Sequence, residues 1–140
     1  MTEKKRFDLK SAEKYSFGDL VEIIAALRAP GGCPWHIKQT HQSLKESLVE
    51  ESGEVIYAID YDDDENLCEE LGDVLLQVVI HAQIAAERGS FTIDDVVQGV
   101  SEKMIRRLPN GFGNVKVSSP EERLELWKKI KEQEKSGSAK

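Results

Sequence analysis

The sequence predicts an all-α protein, and two observations carry this prediction. Apolar residues recur every three or four positions along most of the 140-residue chain, a spacing typical of amphipathic helices. The stretches between these segments hold prolines and glycines, which interrupt helices. Val115 to Val117 alternates as a strand would, but it is too short to matter. We therefore expect a helical bundle with short antiparallel connections.

Individual helices are predicted from the residues that begin and end them. Thr40 and Thr92 can cap the helices that follow them, because a threonine hydroxyl accepts a bond from a free backbone N–H. Gly89 can end a helix in the left-handed conformation, and Pro120 suits a first helical position. The predicted helices cover residues 16–27, 41–61, 65–88, 93–108 and 119–134.

Burial and domain limits follow from the same pattern. The segment Val74–Ile80 is apolar nearly all round and should be the most buried part of the chain. The segments 29–34 and 109–113 read as rigid loops rich in proline and glycine. One domain is expected over residues 15–135, between a flexible leader, 1–14, and a flexible tail, 136–140.

The composition narrows the classes of protein. With a net charge of −7 the chain gains nothing from counterion release, so nucleic-acid binding is not expected. No apolar run approaches the ~20 residues that span a membrane. The charged N-terminus is not a signal peptide, so we expect a cytoplasmic protein. Cys33 and Cys68 are far apart and are expected to be reduced.

Two acidic clusters stand out because each lies in a stretch that otherwise predicts a buried helix. Residues three or four apart share a helix face, and an unpaired buried carboxylate costs several kcal/mol. In an antiparallel hairpin with its turn near 62–64, the two clusters would face each other and could hold a divalent cation such as Mg²⁺. The acids are Glu50, Glu51, Glu54, Glu69, Glu70 and Asp73.

Two other interpretations of the acids fit the sequence less well. A solvated helix face would usually offer lysine partners four residues on, whereas Glu50 is followed by Glu54 and Glu69 by Asp73. Gly53 and Gly72 weaken the helices by about 1 kcal/mol each, which suggests that a neighbour or ligand approaches closely. A di-iron site requires Glu-x-x-His, and no histidine here has an acid three residues before it.

The acids resemble the pattern of the MazG family of nucleoside triphosphate pyrophosphohydrolases, Glu-Glu-x-x-Glu followed by Glu-x-x-Asp. The similarity covers roughly Phe17 to Glu134 and includes separate motifs in the same order. These motifs are Gly32-Cys33-Pro34-Trp35, Glu50-Glu51-x-x-Glu54, Glu70-x-x-Asp73, Lys103 with Arg106-Arg107, and Trp127.

The resemblance implies the fold of the all-α NTP pyrophosphatases, a four-helix core with an additional C-terminal helix, assembled as a homodimer or homotetramer. It implies Mg²⁺-dependent cleavage of an NTP or dNTP to the monophosphate and pyrophosphate, with Mn²⁺ as a substitute ion. Glu50 or Glu54 would take a proton from water. The implied metal ligands are Glu51, Glu54, Glu70 and Asp73, and the substrate-binding residues are Lys38, Lys103, Arg106, Arg107 and Trp127.

Some residues depart from the family pattern, and some alternatives stay open. His36 stands where members often carry Asp, and Leu108–Gly113 differs from the usual His-Pro-His-Val-Phe-Gly. Both changes leave the four acids intact and bear on substrate choice and turnover.

Trp127 also fits a position in the core. The alternative function is a non-catalytic helical oligomer that binds nucleotides or a protein partner. The sequence specifies neither the preferred nucleotide nor the number of ions.

Overall fold

A computed structural model describes residues 14–108 and 119–138, with side chains up to residue 135. Over these ranges every regular element is a helix, which confirms the predicted fold class. The chain divides into two compact units, the first ending at Ile93 and the second beginning at Asp94. The helices are α1 (Phe17–Arg28), α2 (Pro34–Lys38), α3 (Lys45–Asp60), α4 (Asp64–Glu87), α5 (Ile93–Arg107) and α6 (Pro120–Ser138).

Helix α1 begins at a complete capping box. The Ser16 hydroxyl accepts from the Asp19 backbone N–H at 3.1 Å, and the Asp19 carboxylate accepts from the Ser16 N–H at 2.8 Å. These reciprocal bonds satisfy two donors that a helix start leaves free. The predicted interruption at 29–34 is also present, but it contains the start of α2, a helix that the sequence prediction missed. Pro34 is the first residue of α2, where its missing N–H costs nothing.

Helix α3 begins at Lys45, four residues later than predicted from Thr40. Thr40 does accept a bond at its hydroxyl, from the Ser43 backbone N–H at 3.0 Å. That bond closes a turn, and the Ser43 hydroxyl in turn accepts from the Thr40 N–H at 2.9 Å. Because these two side chains bond each other's backbone, residues 41–44 form turns before the regular helix begins.

Helices α3 and α4 pack against each other, and only three residues, 61–63, connect them. They therefore run antiparallel, as the hairpin prediction required. Asp63 caps α4 by accepting from the Asn66 N–H at 3.1 Å, and Asp62 has a φ of 53°. Gly89 follows α4 with a φ of 72°, the left-handed conformation expected of a glycine at a helix end.

The core of the first unit lies where α4 meets α1. Its fully buried members come from three parts of the chain, while Leu20, Val21, Leu27 and Leu76 pack around them. The prediction that Val74–Ile80 is the most buried segment is partly wrong. Leu75 and Val78 are 41% and 39% exposed, because only one side of α4 faces α1 and α3. The buried members are Ile24, Leu44, Val79, Ile80 and Ile84.

The second unit contains α6 and all of α5 beyond Ile93. Glu134 on α6 joins the two helices, since its carboxylate accepts bonds from the guanidinium groups of both Arg106 and Arg107. The predicted loop 109–113 and the short alternating segment 115–117 lie outside the described residues. Among the helices described, none is long and apolar enough to cross a membrane. Cys33 and Cys68 are both free thiols, as predicted.

Candidate metal centre

Three carboxylates from two helices meet in the first unit. Glu51 lies on α3, and Glu70 and Asp73 lie one turn apart on α4. One oxygen from each carboxylate lies within 4.8 Å of the others. The antiparallel pairing of α3 and α4 produces this group, because residues on either side of the turn are brought to similar heights. All three side chains are partly buried.

The electrostatics of the group show that the carboxylates repel each other. The pKa of Glu51 is raised, first by burial and then by the charge of Asp73 and a hydrogen bond with it. The pKa of Glu70 is also raised, by burial and then by the charge of Asp73. A group that loses water and gains anionic neighbours holds its charge less easily. A cation between these oxygens would remove the cause of the repulsion.

Glu54 and Glu50 differ in how close they come to this group. The charge of Glu54 raises the pKa of both Glu51 and Glu70, so Glu54 lies near both carboxylates. It is nevertheless exposed and stands outside the set of three converging oxygens. Glu50 is also exposed and is not a member of that set. Glu54 thus borders the centre.

The donor set fits a hard divalent cation. It offers three carboxylate oxygens on two rigid helices, and no thiolate or imidazole belongs to it. Mg²⁺ and Mn²⁺ prefer oxygen ligands, and Mg²⁺ commonly takes a few carboxylates while keeping waters and substrate phosphates as its other ligands. Glu51, Glu70 and Asp73 could therefore hold such an ion, with Glu54 at the border of the site.

The two glycines inside the acidic clusters make no close approach to another described part of the chain, and the approach of a ligand stays a prediction. A Cβ atom added to Gly53 or Gly72 would meet nothing within 4 Å among the described residues. The close neighbour that these glycines were expected to admit is therefore not a described part of the chain. Both residues are exposed and leave open space beside the acids.

A buried arginine that the sequence interpretation missed holds the segment containing Lys38. The guanidinium of Arg28, with 7% of its side chain exposed, donates to the backbone carbonyls of His36 and Gln39. It also forms a paired contact with Glu87, at 2.9 and 3.0 Å. Arg28 thus ties α2 to the ends of α1 and α4. Its position in the last turn of α1 was the available signal, but that position alone suggests only a helix end.

The predicted basic residues Lys103, Arg106 and Arg107 belong to the second unit. The two arginines bind Glu134, and the pKa of that carboxyl is lowered to about 2 by its hydrogen bonds with Arg106 and then Arg107. The guanidinium carbon of Arg107 lies 5.7 Å from the centre of the Trp127 ring. Within this unit, both arginines therefore contact Glu134, and Arg107 also contacts Trp127.

A second feature absent from the sequence interpretation is a pair of histidines. The Nδ1 atoms of His41 and His81 are 2.8 Å apart, and the rings are parallel within 6°. One Nδ1 must donate and the other accept, so the pair carries a single proton between these atoms. Burial and then the charge of His41 lower the pKa of His81. The pair joins the turn before α3 to the C-terminal third of α4.

Comparison with known proteins identifies the family. The model of the MazG nucleotide pyrophosphohydrolase domain matches residues 39–112, a range that contains all the acids of the centre. The chain belongs to the MazG family. A MazG-related protein from Thermotoga maritima has the same fold, with a TM-score of 0.65 and 35% sequence identity over 82% of this chain and 98% of that one.

Curated MazG relatives are similar over most of this chain. The nucleoside triphosphate pyrophosphohydrolase/pyrophosphatase MazG of Thermotoga maritima is 56% identical over 119 residues, 85% of this chain and 45% of that protein. The nucleoside triphosphate pyrophosphohydrolase of Escherichia coli K12 is 39% identical over 86% of this chain and 46% of that protein. The uncharacterized protein YabN of Bacillus subtilis is 52% identical over 89% of this chain and 25% of that protein.

These relatives are longer than the region they share with this chain. The chain spans between a quarter and a half of their length. The match to the MazG model includes the predicted basic residues on α5, whereas Lys38 and Trp127 lie outside it. The roles assigned to those two residues therefore depend on the wider resemblance and not on the domain match.

Proposed function

We propose that this chain hydrolyses nucleoside triphosphates, NTP or dNTP, to the monophosphate and pyrophosphate in the presence of Mg²⁺. The observation that carries the proposal is the convergence of Glu51, Glu70 and Asp73 in a chain of the MazG family. Relatives from Thermotoga maritima and Escherichia coli are named as nucleoside triphosphate pyrophosphohydrolases. Mn²⁺ is the proposed substitute ion, since it accepts the same oxygen donors.

The acids would divide into ligands and a base. Glu51, Glu70 and Asp73 would hold the cation, and Glu54, which borders them, would complete the set. When bound, a divalent cation neutralises the charge of the triphosphate and lowers the pKa of a bound water. Glu54 or Glu50, whichever carboxylate is not fully used as a ligand, would take the proton of the attacking water at an oxygen.

The remaining predicted residues are proposed to bind the substrate. Arginine suits phosphate oxygens because its guanidinium donates two parallel bonds, while lysine offers a compact charge. Arg106 and Arg107 would have to share their bonds between Glu134 and a phosphate. The proposed substrate contacts are Lys38, Lys103, Arg106, Arg107 and Trp127.

A homodimer or homotetramer is part of the proposal. Val49 and Ile56 on α3 are 72% and 58% exposed, and Leu71 on α4 is 51% exposed. Val49 and Ile56 are seven residues apart and so lie on one side of α3. Apolar side chains exposed together on a helix side are typical of contacts between subunits.

The proposal is tested by incubating the folded chain with each NTP and dNTP plus Mg²⁺ and identifying the products. We expect monophosphate and pyrophosphate in equal amounts, and no product in EDTA. Release of diphosphate and inorganic phosphate instead would contradict the proposed bond cleavage. Absence of any product, together with Mg²⁺-dependent nucleotide binding by calorimetry, would favour the non-catalytic alternative.

A further inference from the structure

Two tyrosines form an exposed aromatic pair on α3 and in the turn that follows it. The Tyr57 and Tyr61 ring centres are 4.4 Å apart, with 32° between the ring planes. The side chains are nevertheless 57% and 67% exposed. A single exposed aromatic ring is ordinary, but two adjacent exposed rings present a larger aromatic surface to solvent. The roles proposed above leave this surface without a function.

The pair lies beside the candidate metal centre. Tyr57 follows Glu54 by three residues and Tyr61 by seven, so all three positions lie near one side of the helix. At 1.5 Å per residue, the tyrosines lie roughly 5 and 10 Å along the axis from Glu54. Proximity is also evident in the raised pKa of Tyr57, caused by a hydrogen bond with Tyr61, then burial, then the Glu54 charge.

We propose that Tyr57 and Tyr61 bind the base of the nucleotide whose phosphates lie at the centre formed by Glu51, Glu70 and Asp73. This inference rests on the proposed function. A sugar separates the phosphates of a nucleotide from its base, so a base can reach a surface one or two helical turns from the metal centre. Aromatic side chains bind bases by stacking and tolerate different bases, because every base has a π-face.

The charges around the pair favour a base over a second copy of the chain. Exposed aspartates surround Tyr61, at positions 60, 62, 63 and 64. A symmetric contact between two chains here would place these acids close together, and like charges repel. A neutral base carries no such penalty. The exposed apolar residues Val49 and Ile56 lie on another side of α3, since Tyr57 is turned by about 100° from Ile56.

The test compares substrates with and without a base. Michaelis constants are measured with Mg²⁺ for ATP, CTP and ribose 5-triphosphate, using the wild-type chain, Tyr57→Ala and Tyr61→Ala. We expect each substitution to raise KM for ATP and CTP by about tenfold, the size of one lost stacking contact. KM for ribose 5-triphosphate should be unchanged, because it has no base to stack.

Two controls separate stacking from other roles of the ring. Tyr57→Phe keeps the aromatic face and should keep KM for ATP close to the wild-type value. Phe91→Ala removes a ring that lies outside the pair and is 43% exposed. This variant should leave KM unchanged for both ATP and ribose 5-triphosphate. The molecular mass of each variant is measured by light scattering, so that any loss of assembly is seen directly.

The effects of the two tyrosine substitutions on KM can contradict base binding. It is wrong if Tyr57→Ala and Tyr61→Ala leave KM for ATP unchanged, or if they raise KM for ATP and ribose 5-triphosphate equally. Equal effects together with a lower mass would make the pair a contact between subunits. If the wild-type chain releases no pyrophosphate, the proposed function fails separately. The dissociation constants of ATP and ribose 5-triphosphate are then compared between the wild-type chain and each variant. Base binding would again be contradicted if a substitution weakened the binding of both compounds equally or weakened neither.

Discussion

The backbone around Gly32 leaves no room for a side chain. A Cβ atom there would lie 2.6 Å from the Ala26 carbonyl oxygen and 2.8 Å from that of Ala29. These are backbone atoms at the end of α1, so they cannot move aside as the end of a flexible side chain could. The glycine therefore allows the loop before α2 to fold back against α1.

We expect Gly32→Ala to lower the free energy of unfolding by about 1–3 kcal/mol, the cost of forcing an extra carbon into a packed site. Gly99→Ala is the matched control, since its Cβ would meet nothing within 4 Å among the described residues. That control should gain up to about 1 kcal/mol from better helix propensity. Urea unfolding of both variants measures the difference, and equal stabilities would contradict the packing argument.

The buried guanidinium of Arg28 donates four hydrogen bonds. Replacing it by methionine keeps most of the apolar stem but leaves two backbone carbonyls and the Glu87 carboxylate without their donor. We expect Arg28→Met to destabilise the chain by about 2 kcal/mol. Glu87→Gln should lower the free energy of unfolding by less, because the Glu87 side chain is 37% exposed and water can replace it at the guanidinium. Thermal and urea unfolding would contradict this account if Glu87→Gln were the more damaging change.

At the scale of elements, the histidine pair makes the packing of the turn before α3 against α4 sensitive to pH. The pKa of His81 lies below its ordinary value of 6.5, so the unfolded chain binds more protons there than the folded chain does. The contribution of His81 to the free energy of unfolding should therefore fall as the pH is lowered through 6.5. His36 adds to this trend, since burial and then Arg28 lower its pKa as well.

The contribution of the pair is isolated by His81→Asn. Asparagine can place a hydrogen-bonding atom near the position of Nδ1, but it does not titrate. We expect the loss of stability between pH 7.5 and 5 to be smaller in this variant than in the wild-type chain, because one of the groups that binds protons more readily in the unfolded chain is gone. Urea unfolding across the pH range measures both slopes. Identical slopes would show that His81 is not responsible.

Element boundaries were predictable where one residue determines them. Asp63 and Gly89 mark the ends of α4 because a carboxylate cap and a left-handed glycine act locally. The start of α3 was misplaced because the Thr40 hydroxyl can close a turn as well as cap a helix. The histidine bond was not predictable, since His41 and His81 are 40 residues apart and meet only through packing.

At the scale of the whole molecule, the convergence of three acids could be predicted from the sequence, while their role as metal ligands stays a prediction. The spacing of Glu51, Glu70 and Asp73 placed them on facing helix sides, and a short turn then brings them together. The family pattern implies Glu54 as a fourth ligand, which stays a prediction, and its position at the border depends on side-chain directions that spacing does not determine. The exposure of Leu75 and Val78 likewise depends on which side of α4 its neighbours cover.

Bound cation should stabilise the whole chain. Mg²⁺ that binds only the folded state raises the free energy of unfolding by about 2.7 kcal/mol at a hundred times its Kd. We expect Tm to rise with Mg²⁺ concentration in the wild-type chain and to rise much less in Asp73→Asn. Differential scanning calorimetry in Mg²⁺ and in EDTA measures this. A Tm that rises equally in both proteins would contradict binding at this centre.

If Glu51, Glu70 and Asp73 hold the cation used in the proposed hydrolysis, kcat/KM for pyrophosphate release should depend on each of them. Asp73→Asn keeps the shape of the side chain, while Glu46→Gln removes an acid of the first turn of α3 that lies outside the centre. We expect Asp73→Asn to lose at least about a hundredfold, and Glu46→Gln to stay within about twofold of wild type. Full activity in a folded Asp73→Asn variant would show that the three carboxylates are not the metal centre of the reaction.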